Sequence, residues 1–167
     1  MKQGHIYIGV CLISFALLGT CFAQNVQNFQ HPALNFQVQA FDTWLAVPHP
    51  ENHMIFEIQD PESVVHVLMW YTEAAGSGTG YLKNFARQKK FVFDADPVLG
   101  KIKERDAWVL DATCCMNESP VRVVLVAIPW KNDVNCFYVA QVVCPENQLQ
   151  EKESTIEQII YSLDITD

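Results

Sequence analysis

The runs AWVLDATCC at 107–115, VRVVLVAIPW at 121–130 and VNCFYVAQVVC at 134–144 decide how this chain folds. Each is dense in Val, Ile, Leu, aromatic and Thr residues, which suit a pleated, half-buried backbone, and each stops at turn-forming residues. The connections are residues 116–120 and the polar loop around Asn132 and Asp133. Both are too short for a crossover, so the three runs are predicted to be antiparallel neighbours in a β-meander.

Taking Asn132 and Asp133 as a two-residue turn sets Lys131 opposite Val134. One face then carries Val109, Val121, Val123, Leu125, Ala127, Tyr138, Ala140 and Val142. The other carries Trp108, Leu110, Ala112, Val124, Val126, Ile128, Phe137, Val139 and Val143. A sheet with one wet face alternates apolar and polar residues, and this one does not. Both sides therefore need cover, and the helical patterns in the chain can supply it. The exceptions are Asp111 and Thr113 on one face and Arg122 and Gln141 on the other. They read as paired, edge-capping or rim residues. A catalytic Asp111 has no partner acid or base close to it in sequence.

Elsewhere the pattern predicts an alternating strand at 34–40, with Trp44 just beyond it to plug an end of the core. Two more strands at 54–59 and 64–72 are joined by the turn residues Asp60, Pro61 and Glu62. A helix at 81–90 packs through Leu82, Phe85, Ala86 and Lys89, and a second at 148–163 through Leu149, Ile156, Ile159, Ile160 and Leu163. Residues 98–106 read as one strand with Lys101, Lys103 and Arg105 on one side. The expected fold class is α/β (α+β), an antiparallel β-sheet sandwiched by helices.

Residues 1–23 have the form of a secretory signal peptide: Lys2, an apolar run at 6–18 and a small-x-small site at Cys21-Phe22-Ala23. Leu18-Gly19-Thr20-Cys21 also approaches a lipobox, and lipidation at Cys21 is the one route to a membrane tether. Residues 24–33 read as a flexible arm and 34–167 as a single domain. The full chain carries a net charge of −8, and losing the leader removes Lys2 but no acid. Such a balance repels nucleic-acid phosphates, so no nucleic-acid partner is expected.

Outside the leader the chain has Cys114, Cys115, Cys136 and Cys144. An even number in an exported domain suggests disulfides, with buried free thiols as the alternative. In the meander Cys136 lies at one end and the other three at the opposite end. Two strand spacings, about 9.6 Å, separate the outer strands, so a bond from Cys114 or Cys115 to Cys144 needs those ends to converge past the middle strand. The pair retained as a candidate is Cys115–Cys144. No CxxC spacing supports a metal. His49 and His53, near Glu51 and His31, have ligand chemistry, but Pro48 and Pro50 exclude the helix that would align them.

Gly76-Ser77-Gly78-Thr79-Gly80 fails as a dinucleotide loop, because Tyr81 stands where G-x-G-x-x-G needs its last glycine. Ser77 or Thr79 capping the following helix is the simpler reading. No nucleophile motif is present, and neither catalytic residue nor cofactor is expected. Lys83, Arg87, Lys89, Lys90, Lys101, Lys103 and Arg105 concentrate positive charge on an acidic chain and are the candidate docking patch.

The order of parts resembles the PsbP-like superfamily. The resemblance runs from an opening His31-Pro32-Ala33-Leu34-Asn35-Phe36 strand and Trp44 through a hairpin, a helix after small residues and the meander. It closes on the helix end Ile159-Ile160-Tyr161-Ser162-Leu163. The resemblance implies a sheet sandwiched by helices and a role in binding or assembly rather than catalysis. The expected function is an exported, non-catalytic domain that docks onto a protein or envelope component. The alternatives are a thiol-redox protein or small hydrolase using Cys114, Cys115 or Asp111, and a carrier of a small apolar ligand.

Overall fold

The computed structural model describes residues 25–31, 35–49, 55–74, 76–130 and 133–165. The signal peptide, the lipobox cysteine, Glu51 and His53 fall outside them. In chain order the elements are β1 (Val26–Gln30), β2 (Phe36–Phe41), β3 (Leu45–Val47), β4 (Ile55–Gln59), β5 (His66–Glu73) and α1 (Gly78–Gln88). They continue with β6 (Val98–Ile102), β7 (Arg105–Met116), β8 (Ser119–Trp130), β9 (Asp133–Pro145), α2 (Leu149–Ser162) and β10 (Asp164–Ile165). Seven strands form one antiparallel sheet in the order β3-β4-β5-β9-β8-β7-β6, and β1-β2-β10 form a second.

The meander is the centre of the large sheet, and both of its faces are dry. On one face Leu82 and Ala86 of α1 sit over Leu110, Ala112, Val123, Leu125, Phe137 and Val139. On the other, Ile156, Ile159 and Leu163 of α2 close over Val126, Ile128, Tyr138, Ala140 and Val142. The three-stranded sheet joins that layer through Phe36, Val38, Ala40 and Ile165, and Trp44 is buried among them. The second face is therefore roofed by a helix and a small sheet together, which the apolar periodicity did not resolve into its two parts.

The expected register of the meander is corrected by one residue at both connections. Asn117 and Glu118 both take positive φ, 50° and 67°, making a two-residue primed turn that sets Met116 opposite Ser119 and Leu110 opposite Leu125. At the other end Trp130 faces Asp133, and the pairing shifts between Pro129 and Trp130, so that Pro129 faces Phe137. A proline has no N–H for the ladder, and bulges gather at such positions. The result turns β8 over: Val121, Val123, Leu125 and Ala127 join Leu110 and Phe137, not Val109 and Tyr138. Arg122 consequently joins Asp111 on one face, where the two pair. The dry-sheet inference survives because β8 is apolar on both sides.

Three further segments differ from expectation. Residues 24–33, read as a loose arm, contain β1, whose polar residues suit the outer edge of the small sheet. The expected strand at 98–106 is a hairpin, β6 to β7, that turns at Lys103 with φ 52° and sets Lys101 opposite Asp106. The two-residue β10, too short to signal itself, completes the small sheet beside β2.

Helix α1 starts where its cap places it: the Ser77 hydroxyl accepts from the Gly80 N–H at 3.2 Å. Gly78 lets the first turn lie directly on β7, for a Cβ there would come within 2.3 Å of Trp108 Cε3. Gly78→Ala is therefore expected to cost about 1–3 kcal/mol despite alanine's better helix propensity. Urea unfolding measures it, and a neutral or stabilising result would mean that the helix does not rest on that ring.

Candidate functional site

Of the seven basic residues in the candidate patch, four are committed to structure. Lys83 on α1 reaches Asp96 at 2.6 Å, and Lys101 meets Asp106 across the β6–β7 pair at 2.7 Å. Lys103, at the hairpin turn, pairs with Asp164 of β10 at 2.8 Å. Arg105 Nη2 donates to the Ile165 carbonyl at 3.0 Å. These last two tie the hairpin to the small sheet. Hydrogen bonding from Lys103, aided by Gln37, outweighs burial and holds the Asp164 carboxyl below the usual carboxylate range.

Arg87, Lys89 and Lys90 are different. They crowd the C-terminal end of α1, where positive charge complements the helix dipole, and no acidic side chain pairs with them among the described residues. The Arg87 guanidinium lies 5.9 Å from the Phe93 ring centroid and Lys89 Nζ 5.8 Å from that of Phe85, so aromatic faces steer both.

Beyond them the chain runs along the outer side of β7. Val92 exchanges two 2.8 Å backbone hydrogen bonds with Thr113, and β6 then continues the edge with Val98 opposite Val109 and Leu99 opposite Trp108. Val92, Val98 and Leu99 are 63%, 61% and 58% exposed. This is the free edge of the seven-stranded sheet. Its arrangement of cations beside exposed aliphatic side chains can hold an anionic, partly apolar surface.

The cysteines lend themselves to structure rather than redox chemistry. All four are thiols, Cys115 exposed, Cys114 half-buried, Cys136 and Cys144 buried. Cys114 and Pro145 both align with Val121, so the three strands stay abreast where the candidate Cys115–Cys144 bond needs convergence. Burial, then the neighbouring Asp60, pushes the Cys144 thiol up, and burial, then Cys115, does the same to Cys114. Both shifts reduce thiolate, the reactive form. Alkylation of the native protein is expected to modify Cys115 first and to spare Cys136 and Cys144 until denaturant is added. Mass mapping checks this, and rapid native labelling of Cys144 would contradict its burial.

Asp111 is held by Arg122, whose Nε donates to Oδ1 at 2.6 Å and whose Nη2 donates to Oδ2. This two-pronged guanidinium grip occupies both carboxylate oxygens. Two of the cavities among the described residues are small. One, between the sheets at Phe36, Met69 and Tyr138, holds about 10 Å³. The other, between the β6–β7 hairpin and Leu163, holds about 150 Å³. Small-molecule sites span roughly 300–1,000 Å³.

No protein-family model and no curated protein matches the chain. Solved structures do. The chain is similar to cyanobacterial PsbP (CyanoP) of Synechocystis sp. PCC 6803, with a TM-score of 0.62 and 8% identity over 90% of this chain and 98% of that one. It is similar to the Saccharomyces cerevisiae Ran-binding protein Mog1p, with a TM-score of 0.61 and 4% identity over 87% and 97%. LpqN, involved in cell envelope biogenesis of Mycobacterium tuberculosis, matches with a TM-score of 0.59 and 12% identity over 86% and 91%. At such identities the likeness is one of architecture.

Proposed function

We propose, from a fold that is PsbP-like, that the chain is an exported binding domain with no chemistry of its own. It docks onto an acidic surface of an envelope protein through the rim of Arg87, Lys89 and Lys90 and the adjoining Val92, Val98 and Leu99. One observation carries this reading. On a chain of net charge −8, three cations without an acidic partner among the described residues stand beside exposed aliphatic side chains on a free sheet edge. The solved structures of like fold include one named for binding Ran and one for envelope biogenesis, which supports a binding role. The leader-like sequence at 1–23 supports export. No helix among the described residues is long and apolar enough to cross a membrane.

The test is capture from the envelope fraction by the wild type and by a triple variant, Arg87→Glu, Lys89→Glu and Lys90→Glu, with circular dichroism confirming that both fold. The triple reversal is expected to weaken capture about tenfold or more, and added salt to weaken wild-type capture in the same direction. Undiminished capture by the variant would remove the rim from the reading.

A further inference from the structure

Glu57 is a buried charged side chain, 8% exposed, on a strand whose flanking Phe56 and Ile58 enter the core on the opposite face. Two imidazoles grip its carboxylate. His49, beyond the end of β3, places Nε2 2.6 Å from Oε2, and His66, opening β5, places Nδ1 2.7 Å from Oε1. The other ring nitrogen of His66 lies 3.1 Å from the Ser63 carbonyl.

Hydrogen-bond accounting fixes the protons. A carbonyl oxygen only accepts, so His66 Nε2 carries a hydrogen. The 2.7 Å approach of His66 Nδ1 to Glu57 needs a second, and the His49 approach a third. With the carboxylate ionised, His66 donating through both nitrogens carries the charge that offsets it, while His49 needs only its Nε2 hydrogen. Remove the proton between His66 and Glu57, and two lone pairs face each other around an uncompensated buried charge.

We propose that His49, Glu57 and His66 form a proton-operated latch at the β3 edge of the sheet. Closed, it fastens two weak segments. One is the chain leaving β3, an edge strand of only three residues. The other is the β4–β5 turn, where Ser63 holds a left-handed φ of 55°, a strained conformation for a residue with a side chain. Loss of the shared proton leaves His66 one N–H for two acceptors, so that either Glu57 or the Ser63 carbonyl is released, while His49 keeps its own N–H to Oε2.

Few other charges face the cluster. β3 presents Leu45 and Val47 here, β4 adds Gln59, and β5 adds Leu68 and Trp70, all uncharged. At the adjacent turn Asp60 and Glu62 share Lys152 of α2 at 3.6 and 3.4 Å, with Glu151 at 3.8 Å from the same ammonium. Three carboxylates against one ammonium leave the turn negative. The two imidazoles address different oxygens rather than a common point, and among the described residues no group of three or more His, Cys, Asp or Glu is placed to hold a metal.

The experiment follows the wild-type protein over a pH series, with ¹⁵N imidazole spectra for the ring states and hydrogen exchange, corrected for intrinsic rate, for opening. His66 is expected to show both ring nitrogens protonated while the latch is closed. As that proton is lost, exchange is expected to rise about tenfold or more at 61–66, while β7 to β9 stay protected. Glu57→Gln, which keeps the shape and removes the charge, is expected to open at lower pH than the wild type. His66→Gln is expected to be open throughout. A bare His66 nitrogen in the protected state, or exchange that does not follow its titration, would overturn the proposal without any variant. So would micromolar Zn²⁺ binding abolished by His66→Gln, which would put a metal where the latch needs a proton.

Discussion

Phe137→Ala is expected to lower the unfolding free energy by about 3–5 kcal/mol. Phe137 is 1% exposed on β9, in the middle of the large sheet. Tyr81 of α1 stacks on it at 5.9 Å with the rings 18° apart, and Trp108 of β7 meets it edge-on at 6.2 Å and 84°. Truncation removes the surface that both aromatic partners rest on and leaves a hole that helix and sheet are too stiff to close. Since small domains are stable by about 5–15 kcal/mol, this single change takes a large share of the total. Urea unfolding reads the loss as a lower midpoint at unchanged slope. A loss below about 1 kcal/mol would mean that water already reaches the sheet beneath α1.

Ile159→Ala tests the other face and is expected to cost about 2–5 kcal/mol. Ile159 is 2% exposed and sits with Ile156 and Leu163 over the α2 side of the sheet. One turn on, Ser162 fastens the helix to β2, its Oγ accepting the Gln39 N–H at 2.9 Å and lying 3.1 Å from the Gln39 carbonyl. Losing Ile159 is therefore expected to loosen the three-stranded sheet as well as α2, which hydrogen exchange at β2 would register. The large sheet stands between Phe137 and Ile159, so their effects should add within about 0.5 kcal/mol. A strongly non-additive pair would indicate one continuous core rather than two packed against a common sheet.

The candidate surface was partly legible. The concentration of cations at 83–105 is visible in the sequence, but their pairing is not, because Asp96, Asp106 and Asp164 reach Lys83, Lys101 and Lys103 only once the chain has turned. The exposed trio Arg87, Lys89 and Lys90 emerges by subtraction. The His–Glu–His cluster was missed for a related reason. Glu57 lies in the run IFEIQ, where alternation reads as an ordinary half-buried strand, and His66 falls within the expected strand at 64–72. A carboxylate amid apolar neighbours, with histidines eight residues before and nine after it, was the available signal.

By itself the sequence determined that three adjoining strands would be apolar on both sides, so that two layers had to cover them, and it located the helices that do so. Side-chain chemistry at periods of 2 and 3.6 is local information and survives errors of detail. Only the tertiary structure decided which face each residue of β8 joins, because register depends on turns at Asn117-Glu118 and Pro129 that shift a strand by one residue and invert it. It also decided that a three-stranded sheet would share the second face with α2, since β1 and β10 are too polar or too short to be strands except beside β2.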